Sequence, residues 1–166
     1  MVGYEYKIKG KYLITPFIGL AYRHLNNNSS GIGAYERKVK YLYSPIGINT
    51  VAPLFGKWSW GISAEYDLLW RGKVKSQLSD VYSGFNDPEV EQDFGDGYGL
   101  RFSLSLTRSF AGKYAISIQP YIRYWKVEDS DKEMLTWAED DGLYYTYVWE
   151  PKNETKCYGL RLSIFF

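Results

Sequence analysis

The sequence predicts an all-β fold: an antiparallel up-and-down barrel of about eight strands in the complete protein, about seven of them visible here. Three observations carry that expectation. Long stretches alternate apolar and polar residues, the period of a strand with two unlike faces. Tight Gly-Lys turns and long polar connections join these stretches alternately. Seventeen Tyr, eight Phe and six Trp bring aromatics to 19% of the 166 residues, and such side chains favour strands. Residues 1–166 read as a single domain.

In 14–23, Ile14, Pro16, Ile18, Leu20 and Tyr22 oppose Thr15, Phe17, Gly19, Ala21 and Arg23. Both faces are mixed in 37–52, which predicts a bulge. In 58–70, Trp58, Trp60, Ile62, Ala64, Tyr66, Leu68 and Trp70 oppose Ser59, Gly61, Ser63, Glu65 and Asp67. In 98–107, Tyr98, Leu100, Phe102, Leu104 and Leu106 oppose Gly99, Arg101, Ser103, Ser105 and Thr107. In 116–125, Ile116, Ile118, Pro120, Ile122 and Tyr124 alternate with Ser117, Gln119, Tyr121, Arg123 and Trp125. The last strand sets Leu160, Leu162, Ile164 and Phe166 against Gly159, Arg161 and Ser163. Pro16 and Pro120 occupy equivalent positions, and since proline lacks a ladder donor each is expected near a bulge or strand start.

Lys9-Gly10-Lys11, Phe55-Gly56-Lys57 and Ala111-Gly112-Lys113 have hairpin-turn chemistry. The other connections, 26–34, about 72–97 and about 128–145, are long and polar. Short turns at one end and long loops at the other is the layout of a transmembrane barrel.

A net charge of +1 gives no basis for nucleic-acid binding. No apolar run is long enough for a transmembrane helix, and no signal peptide is visible. The single cysteine, Cys157, excludes an intrachain disulfide. No cofactor or metal site is expected.

Alternation fits a soluble barrel as well as a membrane one; the two differ in where the apolar face points. The polar faces are rich in Gly, Ser and Thr, which leave room in a narrow lumen. Their charges are Arg23, Glu65, Asp67, Arg101, Arg123 and Arg161, with no Lys, and arginine forks suit ion pairs with little water. These six residues are the candidate lumenal charge network. Trp58, Trp60, Tyr66 and Trp70 are the candidate aromatic girdle. The expected occupant of the apolar face is therefore a lipid bilayer. A soluble lipocalin-like barrel is the alternative, with Trp58, Trp60 and Leu104 lining a cavity.

The chain stops at Tyr158-Gly-Leu-Arg-Leu-Ser-Ile-Phe-Phe166. An alternating final strand ending in Phe resembles the assembly signal of Gram-negative outer-membrane proteins of the OmpA-type or porin-like barrel family. The resemblance implies that Leu160, Leu162, Ile164 and Phe166 are read by the barrel-assembly machinery. It further implies that the protein lies in the bacterial outer membrane beside lipopolysaccharide. The motif covers only the last nine residues and says nothing of activity. Placing the Gly-Lys turns on the periplasmic side gives seven strands, with 2–8 too short to cross a bilayer. Single-chain bacterial barrels have even counts, so an N-terminal segment containing one ascending strand is expected to precede Met1. A turn at 151–155 between 144–150 and 156–166 would also restore an even count.

The expected role is a structural or interaction barrel acting through its long loops on an external partner of unknown identity. A narrow pore or small-solute transporter is the alternative. No enzyme is expected: His24, the only histidine, lacks a companion Ser or Asp motif. The acidic segment 87–96 could offer oxygen ligands to Ca²⁺ but lacks EF-hand spacing. Arg71, Lys73, Lys75 and Lys126 are placed to meet lipopolysaccharide phosphates.

Overall fold

The computed structural model describes residues 1–28, 30–31, 33–110 and 114–166, and among them the fold is all-β and antiparallel, without an α-helix. The elements are β1 (Val2–Gly3), β2 (Tyr6–Ile8), β3 (Tyr12–Ile18), β4 (Ala21–Asn28), β5 (Glu36–Pro53) and β6 (Trp58–Ser76). They continue with β7 (Glu89–Gln92), β8 (Gly97–Phe110), β9 (Tyr114–Val127), β10 (Glu133–Glu139), β11 (Gly142–Val148) and β12 (Asn153–Phe165). The main sheet runs β1-β3-β5-β6-β8-β9-β12, with β2 beside β3, β4 beside β5 and β7 beside β6. Each wall strand pairs with the next wall strand along the sequence, a meander of low topological complexity.

Two prolines split wall strands, so that β1 with β2 and β3 with β4 each make one; with β7, β10 and β11 outside the wall, the twelve strands give seven. β3 and β4 keep one register against β5, from Ile18↔Ile46 to Ala21↔Tyr43. The gap between them lies opposite Pro45, which has no N–H to give. β1 and β2 likewise keep one register against β3, interrupted opposite Pro16. On β8–β9 the ladder skips between Ser103↔Tyr121 and Leu106↔Ile118, at Pro120, with no register shift. The bulges or strand starts expected at Pro16 and Pro120 are thus mid-strand interruptions. The bulge expected in 37–52 lies between Leu42 and Tyr43 of β5, with Trp70 as the extra residue on β6. It flips the facing of β6 beyond that point, which turns Gly72 and Val74 inward.

Two expected turns are present. Lys9 (φ 49°) and Gly10 (φ 67°) both have positive φ, as a two-residue hairpin turn requires, and the Lys11 N–H donates to Ile8 O at 3.1 Å. At the second, Gly56 has φ 56° and the Trp58 N–H donates to Phe55 O at 3.0 Å. Ala111-Gly112-Lys113 falls outside the described residues.

The long connections are more ordered than expected. β6 extends to Ser76 and pairs with β7 from Gly72↔Gln92 to Lys75↔Glu89, so 72–97 is largely a hairpin. Residues 133–148 form a second hairpin, β10–β11. The alternative that paired 144–150 with the last strand does not hold, because β11 pairs with β10 and β12 pairs with β9.

The sheet curls strongly. β5 and β9 are separated by β6 and β8, yet the Tyr43 and Trp125 rings lie 5.4 Å apart and Tyr41 and Trp125 5.8 Å. Arg23 of β4, one strand further, reaches within 6.0 Å of the Trp125 ring. The sheet does not close: the free sides of β1 and β2 at one edge and of β12 at the other pair with nothing among the described residues. The expected closed eight-stranded barrel is here a curled, open, seven-strand wall.

Candidate functional site: the interior of the curled sheet

Strict alternation places one face of every wall strand inside the curl and the other outside. The outside is the apolar one. Leu100, Phe102, Leu104 and Leu106 on β8, Ile116, Ile118 and Ile122 on β9, and Leu160, Leu162 and Ile164 on β12 are exposed. Asp67, Ser103 and Ser117 on the inner face are buried. Trp58, Trp60 and Leu104 accordingly lie on the outer face, not around an inner cavity, and Leu104 is 46% exposed.

The aromatic residues of that outer face gather at its two ends. Toward the loops, Tyr66 stacks on Tyr98 at 6.0 Å, Tyr98 meets Tyr124 at 5.8 Å, and Trp70 meets Phe94 at 5.4 Å. At the turn end stand Tyr12, Phe55, Trp58, Phe110 and Tyr114, with the Arg108 guanidinium over Trp58 and Phe110. The candidate girdle thus divides: Trp58 and Trp60 at the turn end, Tyr66 and Trp70 toward the loops. Tyr98, Tyr124, Phe110 and Tyr114 were missed. Each sits on the right face near a strand end, and that would have been the signal.

The inside has two layers. Toward the loops, Val39, Tyr41 and Tyr43 of β5, Leu69 and Val74 of β6, Val90 of β7, and Trp125 and Val127 of β9 form one buried cluster. Gly99 makes room for it: a Cβ there would strike the Trp125 ring. Below it lies the polar layer. Arg101 of β8 is ion-paired with Glu65 Oε1 and Asp67 Oδ2, both at 2.9 Å, and donates to the Tyr43 hydroxyl at 3.1 Å. Glu65 is its direct neighbour across the β6–β8 ladder, and Asp67, two residues on, shares the face. The Asp67 side chain has no exposed surface. Such a carboxylate is held only by a charged partner.

The six-residue charge network expected from the sequence therefore reduces to three ion-paired members, Glu65, Asp67 and Arg101. Among the described residues no carboxylate pairs with Arg23, Arg123 or Arg161. Arg123 lies over the Tyr121 ring at 5.1 Å, and Arg161 reaches only Gln119 Oε1, at 3.5 Å. Arg101 and Arg123 face each other directly across β8–β9, a like-charge pair. Two clefts follow. One of about 170 Å³ is lined by Glu65, Arg101, Arg123 and Arg161 among others; one of about 440 Å³ by Arg23, Arg101, Arg123, Trp125 and Cys157.

The loop end is a built cap. Arg71 pairs with Glu91, Lys73 with Glu89 (2.8 Å) and Glu91 (2.6 Å), Lys75 with Asp87 (4.0 Å), and Lys126 with Glu128. The basic residues expected to meet lipopolysaccharide phosphates are thus occupied, largely by the acidic segment considered for Ca²⁺; sequence distance hid that pairing. Lys73 and Arg71 hold the Glu91 carboxyl below its ordinary range, and the Ser79 N–H does the same for Asp87. Asn86 acts as a strand mimic: its side chain donates to Met134 O (2.9 Å) and accepts from the Thr136 N–H (2.8 Å), tying 77–88 to β10. Arg37 pairs with Glu150 across the cap.

His24 faces outward near the rim, its ring 6.4 Å from that of Tyr22 and its ladder neighbour Lys40. Among the described residues no cluster of His, Cys, Asp or Glu could hold a metal. Among the described residues no helix is long and apolar enough to cross a membrane. No protein-family model matches the chain, and no curated protein matches it.

Proposed function

We propose that this chain forms the wall of a small Gram-negative outer-membrane β-barrel. One further strand closes that wall to eight. The barrel acts as a structural or interaction protein through its loop-end cap, not as an enzyme. The observation that carries the reading is the inverted face distribution: an aliphatic band outside, bounded by two aromatic belts, around a polar, ion-paired interior. Water does not favour that arrangement; hydrocarbon does. The dimensions support it. Trp58 and Trp70 are twelve residues apart on β6, roughly 40 Å along the strand. At a tilt of about 40° that is roughly 30 Å along the barrel axis, close to the apolar band of such proteins, about 25 Å tall.

Against the narrow-pore reading stands the buried cluster around Trp125, which fills the interior at the loop end. The external partner meets the cap, where Leu143, Tyr145, Tyr147 and Trp149 are exposed. Leu160, Leu162, Ile164 and Phe166 stand exposed on or beside the edge strand β12, accessible to an assembly machine that reads the last strand.

The test is gel mobility of unboiled and boiled protein after refolding in detergent, with a parallel refolding in plain buffer. A compact band that appears only in detergent and shifts on boiling is the expected result. A folded, soluble monomer in plain buffer would overturn the reading.

A further inference from the structure

The unpaired arginines are not scattered through the interior; they flank the open seam. Arg161 is on β12, one edge of the sheet, and Arg123 is on β9 beside it. Arg23 is on β4, whose only ladder partner is β5, so its other side is free at the opposite edge. Arg101, which lies on β8 away from both edges, has both of the interior's paired carboxylates. Of the six interior charges considered, four are Arg and two are acidic. The excess positive charge therefore sits where the wall is incomplete.

The two edges share one direction. The 2–8 segment runs toward the Lys9–Gly10 turn, and β12, antiparallel to β9, runs the same way. They cannot pair antiparallel with each other. A single strand running toward the loops pairs antiparallel with both.

Resting on the barrel reading above, we propose that the strand filling this seam carries carboxylates on its inward face, set to pair with Arg123 and Arg161 on one side and Arg23 on the other. Its outward face is apolar, continuing the aliphatic band. An inward carboxylate at the level of Arg123 also offsets the Arg101–Arg123 repulsion. An uncharged filler would leave three guanidiniums unpaired in a closed, poorly hydrated interior, which is costly.

The test uses synthetic twelve-residue strands added during detergent refolding of the full chain. Leu and Val alternate with Glu in one peptide, with Gln in a second and with Lys in a third; binding is read by fluorescence anisotropy. The Glu strand is expected to bind at least about tenfold more tightly than the Gln strand (about 1.4 kcal/mol), and the Lys strand not at all. Replacing Arg23, Arg123 and Arg161 together by Gln should abolish the Glu–Gln difference while the heat-modifiable band persists. Equal binding of the Glu and Gln strands, or a difference that survives the triple replacement, overturns the proposal. So does displacement of the Glu strand by millimolar inorganic phosphate, which would make the arginines a small-anion site, and so does a folded dimer that binds no peptide. If the chain instead folds in plain buffer, the barrel reading itself has failed.

Discussion

Arg101 and Asp67 lie 2.9 Å apart on neighbouring strands, and the Asp67 side chain is entirely enclosed. The pair joins β6 to β8 inside the curl, directly beneath the Tyr43 and Trp125 rings. Removing the cation leaves a buried carboxylate without a partner. Arg101→Met is expected to cost about 3 kcal/mol, at the lower end for broken buried pairs because Arg101 keeps 36% of its side-chain surface exposed. Asp67→Asn should cost less, since Arg101 keeps Glu65. Urea midpoints of the detergent-refolded variants check both; equal costs would contradict the ranking.

Gly99 is the second weak point. An added Cβ would meet the Trp125 ring and lie 2.7 Å from Asp67 Oδ2. The ring is backed by Tyr41 and Tyr43, at 5.8 and 5.4 Å. Gly99→Ala should therefore destabilise by about 1–3 kcal/mol, with a shift in tryptophan emission. An unchanged midpoint would show that the Trp125 packing gives way easily.

The outer face separates lipid from water as its surroundings. Leu104→Arg, in the middle of the aliphatic band, is expected to cost about 2–4 kcal/mol for folding into lipid vesicles. Leu143→Arg, on the exposed cap hairpin, should cost nearly nothing. Comparable, small effects at both positions would mean that no hydrocarbon covers the band.

The cap should loosen in acid before the wall does. The Glu91 carboxyl is held below its usual value of 4.5 by Lys73 and Arg71, and Asp87 below 3.8 by the Ser79 N–H. For such groups the folded value is the lower one. Their contribution is fully present above the unfolded values and is lost as pH falls through the folded ones. Hydrogen exchange in 77–92 is expected to rise below about pH 4 while β8 and β9 stay protected. Glu91→Gln should flatten that dependence; an unflattened profile would assign the acid response to other groups.

Alternation is a local property, so the sequence by itself determined the wall strands, their facing and two of the turns, but not the cap strands β7, β10 and β11. It identified Arg101, Glu65 and Asp67 as sharing one side, because residues of like parity on a strand point one way. It identified Trp58 and Trp70 as aromatics near the two ends of one outer strand. It did not determine which charges meet. Arg23, Arg123 and Arg161 have the same parity as Arg101 but lie near the edges of an open sheet, and only the strand order reveals that. It missed the pairing of Arg71 and Lys73 with 89–91, because a hairpin of unknown register does not declare its partners. It gave no hint that Tyr41, Tyr43 and Trp125 meet, since they come together only when the sheet curls across four strands. Local pattern decides which way each side chain faces; curvature and register, set by the twist of the whole sheet and by the bulge at Trp70, decide what it faces.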